Sequence, residues 1–226
     1  MSGPPFDMTD SSVFDLERLR AAPLVRAPFD HIVVPDFIRP VRHGAVAGDF
    51  PRIERGGSFP LSTLDYGPAF AAAIAELHGP AVRSAFEDKF AVDLSSRPIM
   101  ITARGMARAK DGQIHVDSRT KILTVLIYMN LDWQTEGASG SGHLRLLRSA
   151  DDIDDFAVEV PPAMGTMLAF RCGPNAWHGH LPFEGARRSI QLNWVTDDGV
   201  VRREEWRHRL SALTKRLLPQ RRASGY

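Results

Sequence analysis

Two periodicities divide the chain. Before Arg97 most of the apolar periodicity is helical, and from Arg97 onward apolar positions alternate with polar ones as strands do. Ser12 is placed to cap a short helix over 13 to 20, with Glu17 among its early residues. Phe29-Asp30-His31-Ile32-Val33-Val34-Pro35 reads as a strand, and Asp36-Phe37-Ile38 opens a second helical segment. The stretch 51 to 62, with Gly56-Gly57-Ser58, has the composition of a connecting loop, reach toward a pocket being its alternative role. Pro68 suits the first turn of a helix ending at Leu77; Gly79-Pro80 interrupts it, and 81 to 90 is helical again.

In the second half, strands are expected near 98 to 105, 112 to 117, 121 to 130, 142 to 147, 156 to 160, 165 to 170, 176 to 181 and 188 to 196. Helices followed by a run of short strands give an α+β layout with a mainly β core. That many strands with turn signals fits a double-sheet jelly roll. One domain spans 1–226: a mobile tail over 1–12, N-terminal helices, a jelly-roll core over 97–197 and a C-terminal helix over 202–219. In that last helix Trp206, Leu210, Leu213 and Leu217 follow helical spacing and Arg203, Arg207, Arg209, Lys215 and Arg216 supply a basic face, as expected of a helix covering a sheet.

Composition narrows the function classes. With 43% hydrophobic residues in 226, one well-buried core is expected. A formal charge of +1 gives no general attraction to nucleic acid or membrane, and no apolar stretch is long enough to span one. The single cysteine, Cys172, excludes an internal disulfide and suits a reducing cytoplasm. Asp151, Asp152, Asp154 and Asp155 read as a solvated turn, since the ordered ligand spacing of a calcium loop is missing.

The chemistry lies in His115 and Asp117, two residues apart, with His178 ten positions before Arg188. In extended chain, residues i and i+2 project to one side, so His115 and Asp117 can share an ion while Val116 points away. Two imidazoles and a carboxylate suit one face of an octahedral first-row metal, leaving open positions opposite. His180 competes with His178 on spacing alone. Strand alternation lets only one of Arg187 and Arg188 point inward, and the shared phase with Ile190, Leu192 and Trp194 selects Arg188. An arginine on such an inner face requires an anion.

At these residues the chain resembles the non-haem Fe(II) and 2-oxoglutarate-dependent dioxygenases, in particular their prolyl-hydroxylase-like branch. The match lies at His115-Val116-Asp117, at Trp177-His178, at Arg188 with Trp194 six residues later, and at Leu126-Ile127-Tyr128-Met129-Asn130-Leu131-Asp132-Trp133 followed by the Gly-rich Gly140-Ser141-Gly142-His143-Leu144. It covers 28 to 197. The resemblance implies Fe(II) on His115, Asp117 and His178, and 2-oxoglutarate with its far carboxylate on Arg188, with Tyr128 and Thr124 as added donors. It also implies dioxygen as oxidant, ascorbate as a candidate accessory reductant, and a hydroxylated product released with succinate and carbon dioxide. Many relatives carry a tyrosine shortly before the H-x-D; this chain has Ile99-Met100-Ile101-Thr102-Ala103-Arg104-Gly105, with Arg104 as the replacement. A carboxylate at Asp117, where related halogenases carry Gly or Ala, favours hydroxylation.

The expected substrate is a peptidyl residue, amino acid, saccharide or other metabolite, taken by a monomer or homodimer. Two other classes remain open on the residues alone. A zinc or manganese hydrolase can use the same ligands with an activated water but gives Arg188 no role, and a binding module can carry the histidines structurally.

Overall fold

In the computed structural model, which describes residues 11–133, 141–199 and 201, the helical first half lies as a layer against a large sheet, and a small sheet faces that sheet from the other side. The order is α1 (Leu16–Ala21), β1 (His31–Val34), α2 (His43–Gly48), β2 (Phe59–Pro60), α3 (Pro68–Leu77), α4 (Pro80–Phe90), β3 (Ile99–Ala107), β4 (Lys121–Tyr128), β5 (Leu144–Leu147), β6 (Phe156–Val160), β7 (Met167–Arg171), β8 (His178–Gly179) and β9 (Gly185–Val195). The large sheet runs β1-β7-β4-β9-β3-β2, the small one β6-β5-β8, and the named pairings are antiparallel. This is the jelly-roll arrangement expected from the strand pattern. The tail up to residue 10 and the C-terminal helix expected over 202–219 lie outside the described residues. No helix among those described is long and apolar enough to cross a membrane.

Helix starts follow backbone chemistry. Pro68 and Pro80 sit at the first helical positions, where a missing N–H costs nothing and φ is already set. Asp15 caps α1 by accepting from the Arg18 N–H. Phe70, Ala73, Ile74 and Leu77 of α3, with Val82, Ala85, Phe86 and Phe90 of α4, follow the helical period and are buried. They meet one face of the large sheet, where Trp194 lies 5.1 Å from Phe86, ring centroid to centroid. A fully buried side chain of this size contributes roughly 1.5–3 kcal/mol.

Register assigns the two faces of that sheet. The rows Ile101–Leu192–Val125 and Ala103–Ile190–Ile127 run across β3, β9 and β4 on the helix side. The alternate rows face the small sheet: Met100–Asn193–Thr124, Thr102–Gln191–Leu126 and Arg104–Ser189–Tyr128. A second apolar cluster between the sheets joins Tyr128, Leu168 and Phe170 to Leu144, Leu146 and Val160. The interior is therefore apolar beside β7 and polar along β9.

Two expected strands are shorter than their pattern. The segment 112 to 117 is no strand: His115 makes a single bridge to His178, with N–H to O=C distances of 3.0 Å in both directions. Asp111 closes a tight turn on Arg108, and Gly112 follows at φ +87°, a conformation that suits glycine. A side chain at Gly112 would strike the His180 ring. The segment 176 to 181 likewise pairs as a strand only at His178–Gly179.

Candidate metal centre and the adjoining polar pocket

The bridge between His115 and His178 carries both imidazoles to one place, with ring centroids 4.3 Å apart. Each Nδ1 lies against the carbonyl two residues earlier, His115 on Gln113 at 2.8 Å and His178 on Ala176 at 2.9 Å. Nδ1 therefore holds the proton, and Nε2 of each ring presents a lone pair. Burial, and then the neighbouring His115, push the His178 pKa down to about 4, so that ring is neutral at pH 7. Ligand atoms of His115, Asp117 and His178 all lie within 4.8 Å of one another, and they are the one such group of three among the described residues. Donors on one face of an octahedral ion at about 2.1 Å stand roughly 3 Å apart, a separation inside that limit. The three groups fit a divalent first-row metal.

Asp117 is held on both oxygens. Lys121 Nζ lies 2.7 Å from Oδ1, and the Thr124 hydroxyl donates to Oδ2 at 2.5 Å. Burial pushes this carboxyl up, but the Lys121 charge, His178 and the hydrogen bonds from Lys121 and Thr124 outweigh it and hold the group below its ordinary range. Thr124 Oγ1 also meets the Asn193 amide at 2.9 Å. Because the single hydroxyl proton goes to Asp117, the amide must present its Nδ2, which otherwise lacks a partner. Asn193 thus donates to Thr124, which donates to Asp117. Cys172 lies 3.8 Å from the same carboxylate; burial and that negative charge push its thiol up to about 12, leaving it unreactive.

The register reverses the orientation expected of the two arginines. Arg188 lies on the helix side of β9, exposed, with its guanidinium 5.9 Å from the Phe50 ring centroid. Arg187 lies on the inner side and is buried. Phase with Ile190, Leu192 and Trp194 selected the wrong neighbour because that apolar face packs against helices, whereas the inner face of β9 is polar: Arg187, Ser189, Gln191 and Asn193. Arg187 Nε donates to the Gly142 carbonyl at 2.7 Å, and its Nη2 is buried without a partner. Tyr128 Oη and Ser189 Oγ likewise lack a hydrogen bond of normal geometry on the same face; the Arg187 guanidinium, 5.4 Å from the Tyr128 ring centroid, is turned toward the Tyr128 hydroxyl without closing on it. Burial raises the Tyr128 pKa, keeping its hydroxyl a neutral donor.

Of the other sequence candidates, Thr124 sits against Asp117 as described, and Arg104 lies beside Ser189 on the inner face, next to Arg187 and Tyr128. His180 is not in the metal group; its Nδ1 meets the Leu181 carbonyl at 2.8 Å. Burial, and then the Arg187 charge, lower its pKa to about 4. Sequence reading missed Lys121 and Asn193. The i,i+4 spacing of Lys121 from Asp117 was visible, but outside a helix such spacing carries no expectation of contact.

Residues 104–196 match the family model of the 2OG-Fe(II) oxygenase superfamily. No curated protein matches the chain in sequence. Among solved structures the chain is similar to a prolyl-4-hydroxylase from Pseudomonas putida, at 16% identity and a TM-score of 0.50, covering 80% of this chain and 93% of that one. It is also similar to a prolyl 4-hydroxylase from Phytophthora capsici, at 16% identity and a TM-score of 0.53, covering 83% and 67%. At such identity the structural likeness is one of fold.

Proposed function

On the premise that residues 104–196 are a 2OG-Fe(II) oxygenase segment, we propose that the chain is an Fe(II)- and 2-oxoglutarate-dependent dioxygenase that hydroxylates an unactivated C–H bond. The observation that carries this reading is the shared wall. The His115, Asp117 and His178 group and the three unpartnered donors Arg187 Nη2, Tyr128 Oη and Ser189 Oγ border one interior. A buried cation and two buried hydroxyls without acceptors are costly unless an anion joins them. A dicarboxylate reaching from the metal group to Arg187 removes that cost, whereas a hydrolase or binding module leaves the three donors unexplained.

When bound, Fe(II) with 2-oxoglutarate and dioxygen supplies an oxidant strong enough to break a C–H bond, with succinate and carbon dioxide released. The chain's residues prepare the place for it. His115 and His178 offer neutral Nε2 atoms, each fixed by its Nδ1 contact to a backbone carbonyl. Asp117 stays anionic, its orientation set by Lys121 and Thr124. Arg187, Tyr128 and Ser189 hold the far carboxylate of the co-substrate, the planar guanidinium giving it direction. Leu126, Leu168 and Phe170 line the apolar side and keep water from the reacting centre.

Succinate formation from 2-oxoglutarate tests the reading, measured with Fe(II), with and without ascorbate, across peptide and metabolite libraries. It is expected to require iron and to vanish in Asp117→Ala. Succinate formation unaffected by that substitution, or failure of the purified protein to bind Fe(II), rules the assignment out. A reducing cytoplasm, which keeps iron ferrous, is the setting this chemistry needs.

A further inference from the structure

Arg104 is a second cation on the inner face, beside Ser189 and next to Arg187 and Tyr128. In the row Arg104–Ser189–Tyr128, neighbouring side chains stand about 4.5–5.5 Å apart at Cβ, and Arg187 lies two residues along β9 on the same face. Among the described residues the Arg104 guanidinium has no hydrogen-bonded or ion-paired partner. The acid whose charge acts on it, Asp111, is already taken by Arg108, which lies 3.0 Å from Oδ1 and also donates its backbone N–H to Oδ2. Burial, and then the Arg187 charge, lower the Arg104 pKa, and the Asp111 charge, shared with Arg108, offsets them only in part.

The donors divide between two ligands. Arg187 Nη2, Tyr128 Oη and Ser189 Oγ are fully buried and suffice for the two oxygens of one carboxylate. Arg104 is half-buried and its nitrogens are not among the fully buried orphans, so its head remains open to an incoming molecule. Around the interior Arg104, Arg108, Arg187 and Lys121 face Asp111 and Asp117, four cations against two anions. A divalent metal and a doubly negative co-substrate cancel each other and leave that excess of two in place.

We propose that Arg104 is the specificity-determining residue for the primary substrate and that this substrate carries a carboxylate or phosphate group, which Arg104 binds beside the oxidised carbon. The assignment rests on the dioxygenase reading above.

Calorimetric titration of the full chain, loaded with Mn(II) and 2-oxoglutarate under argon, tests it with acetate, inorganic phosphate and neutral acetamide as probes. Wild type is expected to bind one or both anions and to ignore acetamide, the stronger anion identifying the substrate's group. Arg104→Gln is expected to weaken anion binding about tenfold, the loss of a charge-assisted contact, and to leave 2-oxoglutarate affinity unchanged. Arg104→Lys should restore most of the anion affinity. Equal anion affinity in wild type and Arg104→Gln overturns the proposal, as does a loss in that variant that falls on 2-oxoglutarate. Wild type that does not bind 2-oxoglutarate overturns the dioxygenase reading itself, and the Arg104 assignment with it.

Discussion

Replacing Arg187 with glutamine, and separately Arg188, puts the correction on β9 to the test. Nη2 of Arg187 is buried with no protein acceptor, so a co-substrate carboxylate bound there, as proposed, would take a charge-assisted hydrogen bond in a dry place. Such a bond contributes roughly 1.5–3 kcal/mol. At about 1.4 kcal/mol per factor of ten, Arg187→Gln should weaken 2-oxoglutarate binding roughly 10- to 150-fold. Arg188→Gln, on the helix side, should change it less than about twofold, since an exposed substitution usually has little effect. Calorimetry with Mn(II) present reads both affinities directly. Arg187 Nε also satisfies the Gly142 carbonyl, so losing it costs about 0.5–1.5 kcal/mol of stability, and a urea midpoint must show the variant folded. Arg187→Lys should fall between, because an ammonium keeps the charge but not the planar fork. Loss of affinity in Arg188→Gln with Arg187→Gln unaffected refutes the reasoning.

Thr124→Val removes the hydroxyl that fixes Asp117 and strands Asn193; metal affinity should drop about 10- to 100-fold by competition with a chelator, and an unchanged value would deny Thr124 its positioning role. Metal-free protein should lose stability as pH falls from about 6.5 to about 4. The folded pKa values of His178 and His180 lie below the ordinary one, so the unfolded chain takes up protons that the folded chain refuses. Urea midpoints should be flat from pH 7.5 to 6.5 and then decline, less steeply in His180→Asn; a midpoint constant down to pH 4.5 contradicts the cause assigned to both shifts. Trp194→Ala, which empties the contact with Phe86, should cost about 3–5 kcal/mol in chemical denaturation, and a loss under 1 kcal/mol would mean the helix layer does not rest on that ring.

Helices α3 and α4 were legible because proline starts, a Gly-Pro break and a regular apolar stripe all agree. The core strands were legible for the same reason, as were the residues that meet at the metal group. The inner face of β9 was not. Alternation tells which residues share a side but not which side holds the ligand, and the usual inference that apolar means inward fails when a sheet has helices on one face and a polar pocket on the other. Ile190, Leu192 and Trp194 are as buried as any core residue, yet outside the pocket. His115 and Asp117 were grouped as members of a strand, whereas Gly112 and the Arg108–Asp111 turn carry them between the two sheets with one bridge for support. That geometry depends on long-range partners, which local periodicity does not encode.

The position of that bridge has a mechanical side. His178 belongs to the small sheet, while Asp117 is tied through Lys121 and Thr124 to β4 of the large one, and the two sheets are separate hydrogen-bonded ladders. An ion held by His178 and Asp117 would act as a rivet through two plates. Its removal should speed amide exchange across Leu144–Leu147 and Phe156–Val160 more than in β4 or β9. Cohesion of the shell and metal retention would then become one quantity, so a substitution that loosens the plates far from any ligand would leak metal.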